Sequence, residues 1–494
     1  MKLLKLIIAL TIGICSVSYA QVHDFKNTIK YGPYQYNGKK PTFGNIFSSN
    51  ETSITTIVSE NNKGTAIKLQ RFDLDLNLIT AKVINLKAER KNLSFHTIID
   101  NNDKYYVLST FKNQKLKKNV LCMQTINKET LELNDDFKIL DALAYPKTWK
   151  ANSGFYESHI SEDKSKILIY NLSPRINDEN QKIGISVYNS SLELLWKNQS
   201  TLPDINKNLN VQSVKVNNSG NVFLLAEHYD NGKRAKIKNG STNLSFKLLS
   251  YGKGKNNYKS FDIKHSKYFA EDLRINFNKN GDLICSGYYS TDNMSVTNGI
   301  YFSITNGQTL EVKTEKYAPF TQALMNIKGD ESPKLSLFEL DHVIPLGNQK
   351  TLLVGEYYNS IMYSTADGIK ELYTFGSICV IKLSSEGEIE WIKFVDKMQK
   401  AGTLDNSSYL TLERDNKLYF LFNKKITKIK RKHLNLSNIV SIDLDGQILK
   451  SDIEVEPINN RMLIEKYEIY ESDNKDVFIY YSSKSRIRMA KLNF

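Results

Sequence analysis

Apolar and polar positions alternate in a pattern that recurs along most of the chain. A short apolar strand ends in a turn of Asn, Asp and Gly residues, and a strongly apolar strand rich in Tyr, Phe and Val follows at once. The clearest copies span 213–232, 273–292, 342–360 and 410–425, weaker ones span 96–110, 159–171 and 467–483, and the most divergent spans 52–62. The period of two and the β-branched and aromatic enrichment predict strands throughout.

The spacing of these copies defines a repeat of four strands. Successive marker positions in the apolar strands lie 51–69 residues apart: Ile54, Tyr105, Ile167, Val222, Leu283, Leu352, Leu418 and Val477. After each apolar strand comes a second hairpin, such as "CVIKLSSEGEIEWIKF" at 379–394. We name the four strands a, b, c and d in chain order. This spacing is typical of one four-stranded blade with its loops.

The two ends of the chain predict how the repeats close. The eighth repeat has strands a, b and c, and the chain ends at Phe494 without a strand d, whereas 25–38 is an extra strand before the first repeat. Pairing that strand with the last repeat would remove an exposed sheet edge. The predicted fold class is therefore all-β: a β-propeller of four-stranded blades with eight blades, or seven if the first repeat is degenerate.

The N-terminal sequence "MKLLKLIIALTIGICSVSYAQ" predicts a secretory signal peptide at 1–20, followed by a single propeller domain at 21–494. Lipidation at Cys15 is disfavoured because Ile14 precedes it. No later stretch reaches the roughly 20 apolar residues of a spanning helix, so we expect no transmembrane segment after signal removal. We expect export by the Sec route to the periplasm or the cell surface, and a monomer.

Charge and cysteine content add two expectations. Removal of Lys2 and Lys5 with the signal lowers the formal net charge from +14 to +12, and a basic surface favours acidic partners. Three cysteines remain within apolar runs, and we expect them to be small buried hydrophobes because a chain of this size does not need disulfides: Cys122, Cys285 and Cys379.

Three stretches within 340–494 carry a resemblance: "DHVIPLGNQKTLLVGEYY", "GSICVIKLSSEGEIEWIKFVDKMQ" and "NKLYFLFNK". Over this region the chain resembles a family of uncharacterised secreted β-propeller-type proteins of Bacteroidota, whose blades run Lys-Leu, a Gly turn and then Trp. The resemblance implies export and a propeller fold, and it implies no particular activity.

Motifs for catalysis and cofactor binding are absent. The chain has no HExxH, Walker A, G-x-S-x-G or dinucleotide-binding pattern, and "DLDLN" at 73–77 has Leu78 where a calcium loop needs Gly. Trp196 and Trp391 lie at hairpin ends, where packing between blades explains them better than a quinone cofactor. We expect no cofactor and no nucleic-acid partner, and the sequence favours a non-enzymatic protein.

One histidine set could still hold a metal. Strands a of a propeller line its central channel, and His96, His159 and His342 fall in such strands, with Asp341 as a further oxygen ligand. The alternative is that these polar side chains simply fill a hydrated channel.

Loop lengths point to a binding face. The b–c and d–a connections share one face of a propeller, and the predicted b–c loops are long, the longest being 358–376. Three of these loops are basic, and their candidate binding residues are Lys115, Lys117, Lys118, Lys233, Arg234, Lys236, Lys428, Lys430, Arg431 and Lys432.

These observations lead to two functional hypotheses. The first is an exported, non-enzymatic interaction scaffold whose b–c loops bind an acidic glycan, lipopolysaccharide or acidic protein. Lysine-rich loops that only maintain solubility are the competing interpretation. The second hypothesis is a hydrolase or lyase at the channel mouth, assisted by a metal in one version.

Overall fold

The structure is a computed structural model. It describes residues 29–33, 35–36, 44–60, 64–88, 91–101, 103–145, 154–174, 181–202, 209–229, 237–238, 241–254, 258–265, 267–291, 296–325, 335–365, 368–402, 404, 407–423, 427–429, 432–434, 436–454, 463–472, 474–482 and 486–492. The predicted signal peptide and Cys15 lie outside these ranges.

Antiparallel four-stranded sheets dominate the described residues, and each corresponds to one predicted repeat. Strands a to d are Gly44–Ser49, Ser53–Ser59, Ala66–Asp73 and Leu78–Asn85 in blade 1; Ser94–Asp100, Lys104–Asn113, Lys118–Asn127 and Lys138–Ala144 in blade 2; Phe155–Ile160, Lys166–Leu172, Lys182–Asn189 and Leu194–Thr201 in blade 3; Leu209–Val216, Val222–Tyr229, Leu244–Tyr251 and Lys259–Ile263 in blade 4. They are Phe269–Phe277, Leu283–Ser290, Gly299–Thr305 and Val312–Pro319 in blade 5; Phe338–Pro345, Thr351–Thr365, Gly368–Leu383 and Ile389–Val395 in blade 6; Leu410–Arg414, Lys417–Asn423, Leu436–Asp443 and Ile448–Glu454 in blade 7.

Blade 8 completes the ring with a strand from the other end of the chain. Its strands a to c are Leu463–Glu471, Val477–Ser482 and Arg486–Leu492, and Ile29–Tyr31 pairs with the last of these as strand d. The register places Ile29 opposite Leu492, and Gln35–Tyr36 extends the same pairing. The predicted eight-bladed propeller and its closure are confirmed, and the seven-bladed alternative is wrong because the first repeat forms a complete sheet.

The core is divided into hydrophobic clusters that each lie between two neighbouring blades. Between blades 8 and 1, for example, Phe478 and Met489 pack against Ile54 and Phe72. Corresponding clusters lie at the other blade junctions. Full burial of each such side chain contributes roughly 1.5–3 kcal/mol, so every blade stabilises the ring through both of its faces.

The outer hairpins pack through their tryptophans as the sequence predicted. The Trp391 indole Nε1 donates to the Leu444 carbonyl at 3.2 Å, and a Cβ added to Gly446 would lie 3.3 Å from the indole ring. The Trp196 indole Nε1 donates to the carbonyl of Gly220, in the a–b turn of blade 4, at 3.1 Å. Both indoles therefore fix one blade against the next.

Buried thiols and short connecting elements complete the fold. The three described cysteines are buried free thiols, which confirms their predicted role as core residues. The short elements are the strands Lys87–Ala88, Lys91–Asn92, Ile237–Lys238, Ser241–Thr242, Val296–Thr297, Leu335–Ser336, Gln399–Ala401, Thr427–Ile429 and Lys432–Leu434, the 3-10 turn Gly347–Gln349 and the helix Gln322–Met325. Within the described ranges, no helix has the length and apolar character needed to cross a membrane.

Candidate functional site

The innermost strands a surround the central channel, and several carry a β-bulge. Pairing between strands a and b is regular in blades 3 and 7. In five other blades an extra residue interrupts the pairing, at or next to Phe47, His96, Gln212, Asp272 and Asp341. A bulge changes the direction in which the following side chains point. The side chains of the innermost strands therefore do not simply alternate between the channel and the blade.

A cavity of about 420 Å³ opens where the channel meets the a–b turns, and we call it the mouth pocket. Five consecutive blades contribute the residue one position before the end of strand a: His159, Lys215, Asn276, Ile344 and Glu413. The a–b turns add Glu162 and Lys279, and the apolar wall includes Phe277 and Pro345. A volume of this size is in the range of small-molecule sites.

Lys215 and His159 contribute nitrogen groups from blades 4 and 3 to the mouth pocket. The Lys215 ammonium donates to Asn276 Oδ1 at 3.1 Å, and burial lowers the pKa of this lysine. Burial also lowers the pKa of His159; Glu157, whose Oε2 is 3.7 Å from His159 Nε2, opposes the shift, and Lys215 adds to it. His159 is therefore a neutral imidazole at pH 7 that can accept a proton.

Two exposed carboxylates also line the pocket, Glu162 in the a–b turn of blade 3 and Glu413 in strand a of blade 7. Burial raises the pKa of Glu413, and the nearby Glu162 carboxylate adds to this shift while the Lys279 ammonium opposes it. The pocket thus presents ammonium groups, an imidazole, an amide and carboxylates around one volume. Such a set can bind a polar ligand and can move a proton between a base and an acid.

The three predicted histidines occupy different environments. His159 lines the mouth pocket, whereas His96 lies near Glu157 with its Nε2 buried and without a hydrogen-bond partner in the described part. Burial lowers the pKa of His96, and Glu157 opposes that shift. His342 is exposed, with its ring centroid 6.3 Å from that of Tyr409. No group of three or more His, Cys, Asp or Glu side chains in the described ranges is arranged to hold a metal ion.

Asp341, the predicted oxygen ligand, is engaged by a tyrosine. The Tyr409 hydroxyl donates to Asp341 Oδ2 at 2.7 Å, which links blade 6 to blade 7. Nearby, Glu356 forms a buried ion pair with Lys397 from the connection between these blades. The carboxylates on this side of the channel thus hold neighbouring blades together.

The predicted basic loops lie on the face formed by the b–c and d–a connections, which we call the b–c face. In blade 2, Lys115 and Lys118 are exposed and Lys117 is half-buried, and all three adjoin Leu116, which is 61% exposed. Lys428 and Lys432 belong to a short two-stranded hairpin in which Thr427–Ile429 pairs with Lys432–Leu434. The other candidates lie outside the described residues: Lys233, Arg234, Lys236, Lys430 and Arg431.

The segment 358–376 is not a loop but a two-stranded extension of blade 6. Residues 358–365 pair with 368–375, and we call this hairpin the ribbon. Its outer part exposes four large apolar side chains by 46–77%: Ile361, Met362, Tyr363 and Ile369. Met398 and Leu404, in the d–a connection that follows blade 6, are also exposed. The interpretation of this segment as a loop was wrong because its β-branched and aromatic residues continue the pairing of strands b and c.

Sequence reasoning missed five polar residues of the mouth pocket: Glu162, Lys215, Asn276, Lys279 and Glu413. The signal that could have found Lys215, Asn276 and Glu413 is their shared position near the end of strand a in successive repeats. The prediction considered the histidines of strands a, and His159 is the histidine of that ring.

Comparisons with known proteins provide neither a family nor a function for this chain. No protein family and no curated protein matches the sequence, so the resemblance to a Bacteroidota family has no support from sequence comparison. The WD40 domain of SCAP from fission yeast is similar at 8% identity over 94% of each chain, with a TM-score of 0.40. The β-propeller domain of the Trilobed protease from Pyrococcus furiosus is similar at 10% identity over 80% of this chain and 93% of that one, with a TM-score of 0.35. Polysaccharide lyase Uly1 is similar at 10% identity over 80% and 89%, with a TM-score of 0.38. At these TM-scores the similarities carry no argument about this chain, and the propeller assignment rests on its own strand pairing.

Proposed function

We propose that the protein is an exported, non-enzymatic β-propeller that binds an anionic partner through the b–c face. Export, which the N-terminal sequence predicts, is part of this proposal. Membership of a secreted family of Bacteroidota is also part of it. The partner classes are an acidic glycan, lipopolysaccharide or an acidic protein. The observation that supports binding is the presence of exposed lysines and exposed apolar side chains together on this face.

Lysines on this face adjoin apolar residues in two separate places. Lys115 and Lys118 flank Leu116 in blade 2, and Lys370 follows Ile369 in the ribbon of blade 6. Each lysine close to an anionic lipid surface contributes about 1 kcal/mol to binding. The b–c face can therefore attract a negatively charged partner before any apolar contact forms.

The apolar side chains favour lipopolysaccharide among the three partners. Lipopolysaccharide carries both phosphates and acyl chains, whereas an acidic glycan carries only the charge. Full burial of Met362 and of Ile369 would each contribute roughly 1.5–3 kcal/mol. A partner that offers apolar surface next to anionic groups therefore matches both features of the face.

Binding to immobilised lipopolysaccharide and to immobilised heparin tests this proposal by surface plasmon resonance. The charge variant is Lys115→Glu with Lys118→Glu, and its control is Lys164→Glu with Lys253→Glu, two exposed lysines in turns of the opposite face. The apolar variant is Met362→Ser with Ile369→Ser, which removes apolar surface without a change in charge. Its control is Ile79→Ser, an exposed position on the outer strand of blade 1.

The two variants should separate charge from apolar contact. Loss of two lysine contacts, about 2 kcal/mol, should weaken binding to both surfaces roughly 30-fold. The apolar variant should weaken binding to lipopolysaccharide and leave heparin binding unchanged. If the b–c variants bind both surfaces as well as their controls, the proposed function is wrong.

A hydrolase or lyase at the channel mouth is the second candidate function. The mouth pocket favours it because His159 is a neutral base and Glu413 is an acid with a raised pKa within one cavity. Such an activity should appear as new ultraviolet absorbance or reducing ends when polyuronates are added, and His159→Ala should abolish it. A protein that cleaves none of these substrates would favour the binding function.

A further inference from the structure

The mouth pocket lies at the opposite end of the channel from the b–c face, and its charges suggest a ligand of its own. Lys215 projects from strand a of blade 4 into the cavity, where it is half-buried. Its only hydrogen-bond partner in the described part is Asn276, at 3.1 Å. The Asn276 amide Nδ2 in turn donates to the Val343 carbonyl at 2.9 Å. This chain across blades 4, 5 and 6 orients the ammonium and uses one of its three donors.

Lys215 has no carboxylate partner among the described residues. Burial alone lowers its pKa, without any opposing contribution from an acidic neighbour. By contrast, Lys491, which is also half-buried, is paired with Asp476 at 2.7 Å. A partly desolvated ammonium without a counter-ion is unfavourable, and an anion that enters the pocket would remove that cost.

The remaining lining limits what else the ligand carries. Lys279 adds a second ammonium at the rim, while Glu162 and Glu413 offer acceptors for hydroxyl groups. Phe277 and Pro345, together with Ile344, provide an apolar wall that suits the C–H face of a small ring. A ligand that is anionic at one end and hydroxylated at the other therefore matches the pocket better than a simple inorganic ion.

We propose that the mouth pocket binds a small hydroxylated anion of the sugar-acid or sugar-phosphate type, with the anionic group on Lys215. The volume of about 420 Å³ accommodates a monosaccharide with water or a disaccharide. His159 and Asn276 lie next to the anion and donate or accept hydrogen bonds around it, and Glu413 accepts from hydroxyl groups at the rim. This inference does not depend on the partner of the b–c face.

Isothermal titration calorimetry with three related probes tests the inference. Galacturonate supplies a carboxylate, galactose 6-phosphate supplies a phosphate, and galactose supplies neither. At least one anionic probe should bind about tenfold or more tightly than galactose, and the better of the two identifies the anionic group. If neither anionic probe binds more tightly than galactose, the inference is wrong.

Substitution of the lysine provides the second arm. Lys215→Met keeps the length of the side chain and removes its charge, so it should weaken the preferred probe about tenfold or more while the thermal midpoint stays equal or rises. Lys164→Met, in a nearby a–b turn outside the pocket, should change neither value. Binding that survives Lys215→Met would overturn the assignment of the anion to this lysine.

Chemical labelling gives a readout that does not require calorimetric heat. Lys215 should react with acetic anhydride at pH 8, since its lowered pKa leaves more free amine than an ordinary lysine has. The preferred anionic probe should protect Lys215 and leave Lys164 unprotected in peptide mass spectra. Labelling of Lys215 that the probes do not slow would contradict binding in the pocket.

Discussion

Replacement of Lys397 by Met should strongly destabilise the propeller, because it would leave a buried carboxylate without its partner. The side chains of Lys397 and Glu356 are 1% and 4% exposed. Lys397 also donates to Gln399 Oε1 at 3.0 Å, and the Ser408 hydroxyl donates to Glu356. The pair therefore fastens the connection between blades 6 and 7 to strand b of blade 6.

The expected magnitude follows from the burial of both charges. Removal of one partner from a buried ion pair costs about 3–5 kcal/mol, whereas removal of both charges is often close to neutral. Lys397→Met alone should thus lower the free energy of unfolding by about 3–5 kcal/mol. The double variant Lys397→Met with Glu356→Gln should recover most of that loss, since no buried charge remains.

The pH dependence of the stability of Lys397→Met provides an independent test of the buried ion pair. Burial raises the pKa of Glu356, and Lys397 opposes this shift, so loss of the lysine should raise the pKa further. A carboxyl whose pKa is higher in the folded state takes up a proton on folding, and its contribution to stability is lost as the pH rises through that pKa. Lys397→Met should therefore be less damaging at pH 5 than at pH 8, and the double variant should show no such difference.

Urea denaturation followed by tryptophan fluorescence at pH 5 and pH 8 measures all four proteins of this cycle. The wild-type chain, the two single variants and the double variant together give the coupling energy between the two residues. A double variant as unstable as Lys397→Met would refute the reasoning, since the loss would then come from packing. A single-variant loss below about 1 kcal/mol would refute the buried-pair estimate itself.

Three further predictions concern packing, thiols and closure. Gly355→Ala should cost about 1–3 kcal/mol in thermal denaturation because its Cβ would lie 2.3 Å from the Tyr288 hydroxyl, whereas Gly347→Ala, with nothing within 4 Å, should be nearly neutral; equal midpoints would contradict this. Burial raises the pKa of the Cys122 thiol to about 12, and the other two thiols are fully buried, so Ellman's reagent at pH 8 should label all three cysteines in urea and none in the native protein. Deletion of 21–36 should expose the edge of Arg486–Leu492 and produce larger species by light scattering, and a deletion variant that matches the full chain in size and melting would contradict its role in closure.

The fold could be predicted because its determinants are local and repeated. A period of two within strands, Gly and Asn at turns, and a regular distance between apolar strands identify blades without knowledge of any contact between them. Even the closure followed from counting strands at the two ends, since a repeat without strand d implied a partner elsewhere. The core could be predicted for the same reason: strands that are apolar on both faces must pack between neighbours.

The candidate sites were harder to predict because they depend on register and on orientation. Lys215 and Glu413 are nearly 200 residues apart in the sequence and meet only because blades 4 to 7 form consecutive parts of one ring. Bulges such as those at His96 and Asp341 shift the facing of the innermost strands by a residue, which spacing alone does not reveal. The ribbon was missed for a different reason: its outer strands pair with each other but leave their apolar side chains exposed, so they lack the buried pattern of a blade strand.

The described lining of the mouth pocket comes from blades 3 to 7 and not from blades 8, 1 and 2. Residues at equivalent positions of strand a therefore have different roles in the two parts of the ring. At the position where blades 3 to 7 carry pocket residues, blades 8, 1 and 2 carry Tyr470, Ser48 and Ile99. The Tyr470 hydroxyl donates to Ser49 Oγ at 3.1 Å, the Ser48 hydroxyl lies 3.2 Å from the Tyr105 hydroxyl, and Ile99 is buried in the cluster between blades 2 and 3. Those three side chains therefore contribute to the packing of the ring, and their loss should lower stability. Of the five equivalent residues in blades 3 to 7, Ile344 and Asn276 also hold neighbouring blades together. His159, Lys215 and Glu413 instead present ionisable groups to the pocket, so changes at these three should alter ligand binding more than they alter the packing of the ring.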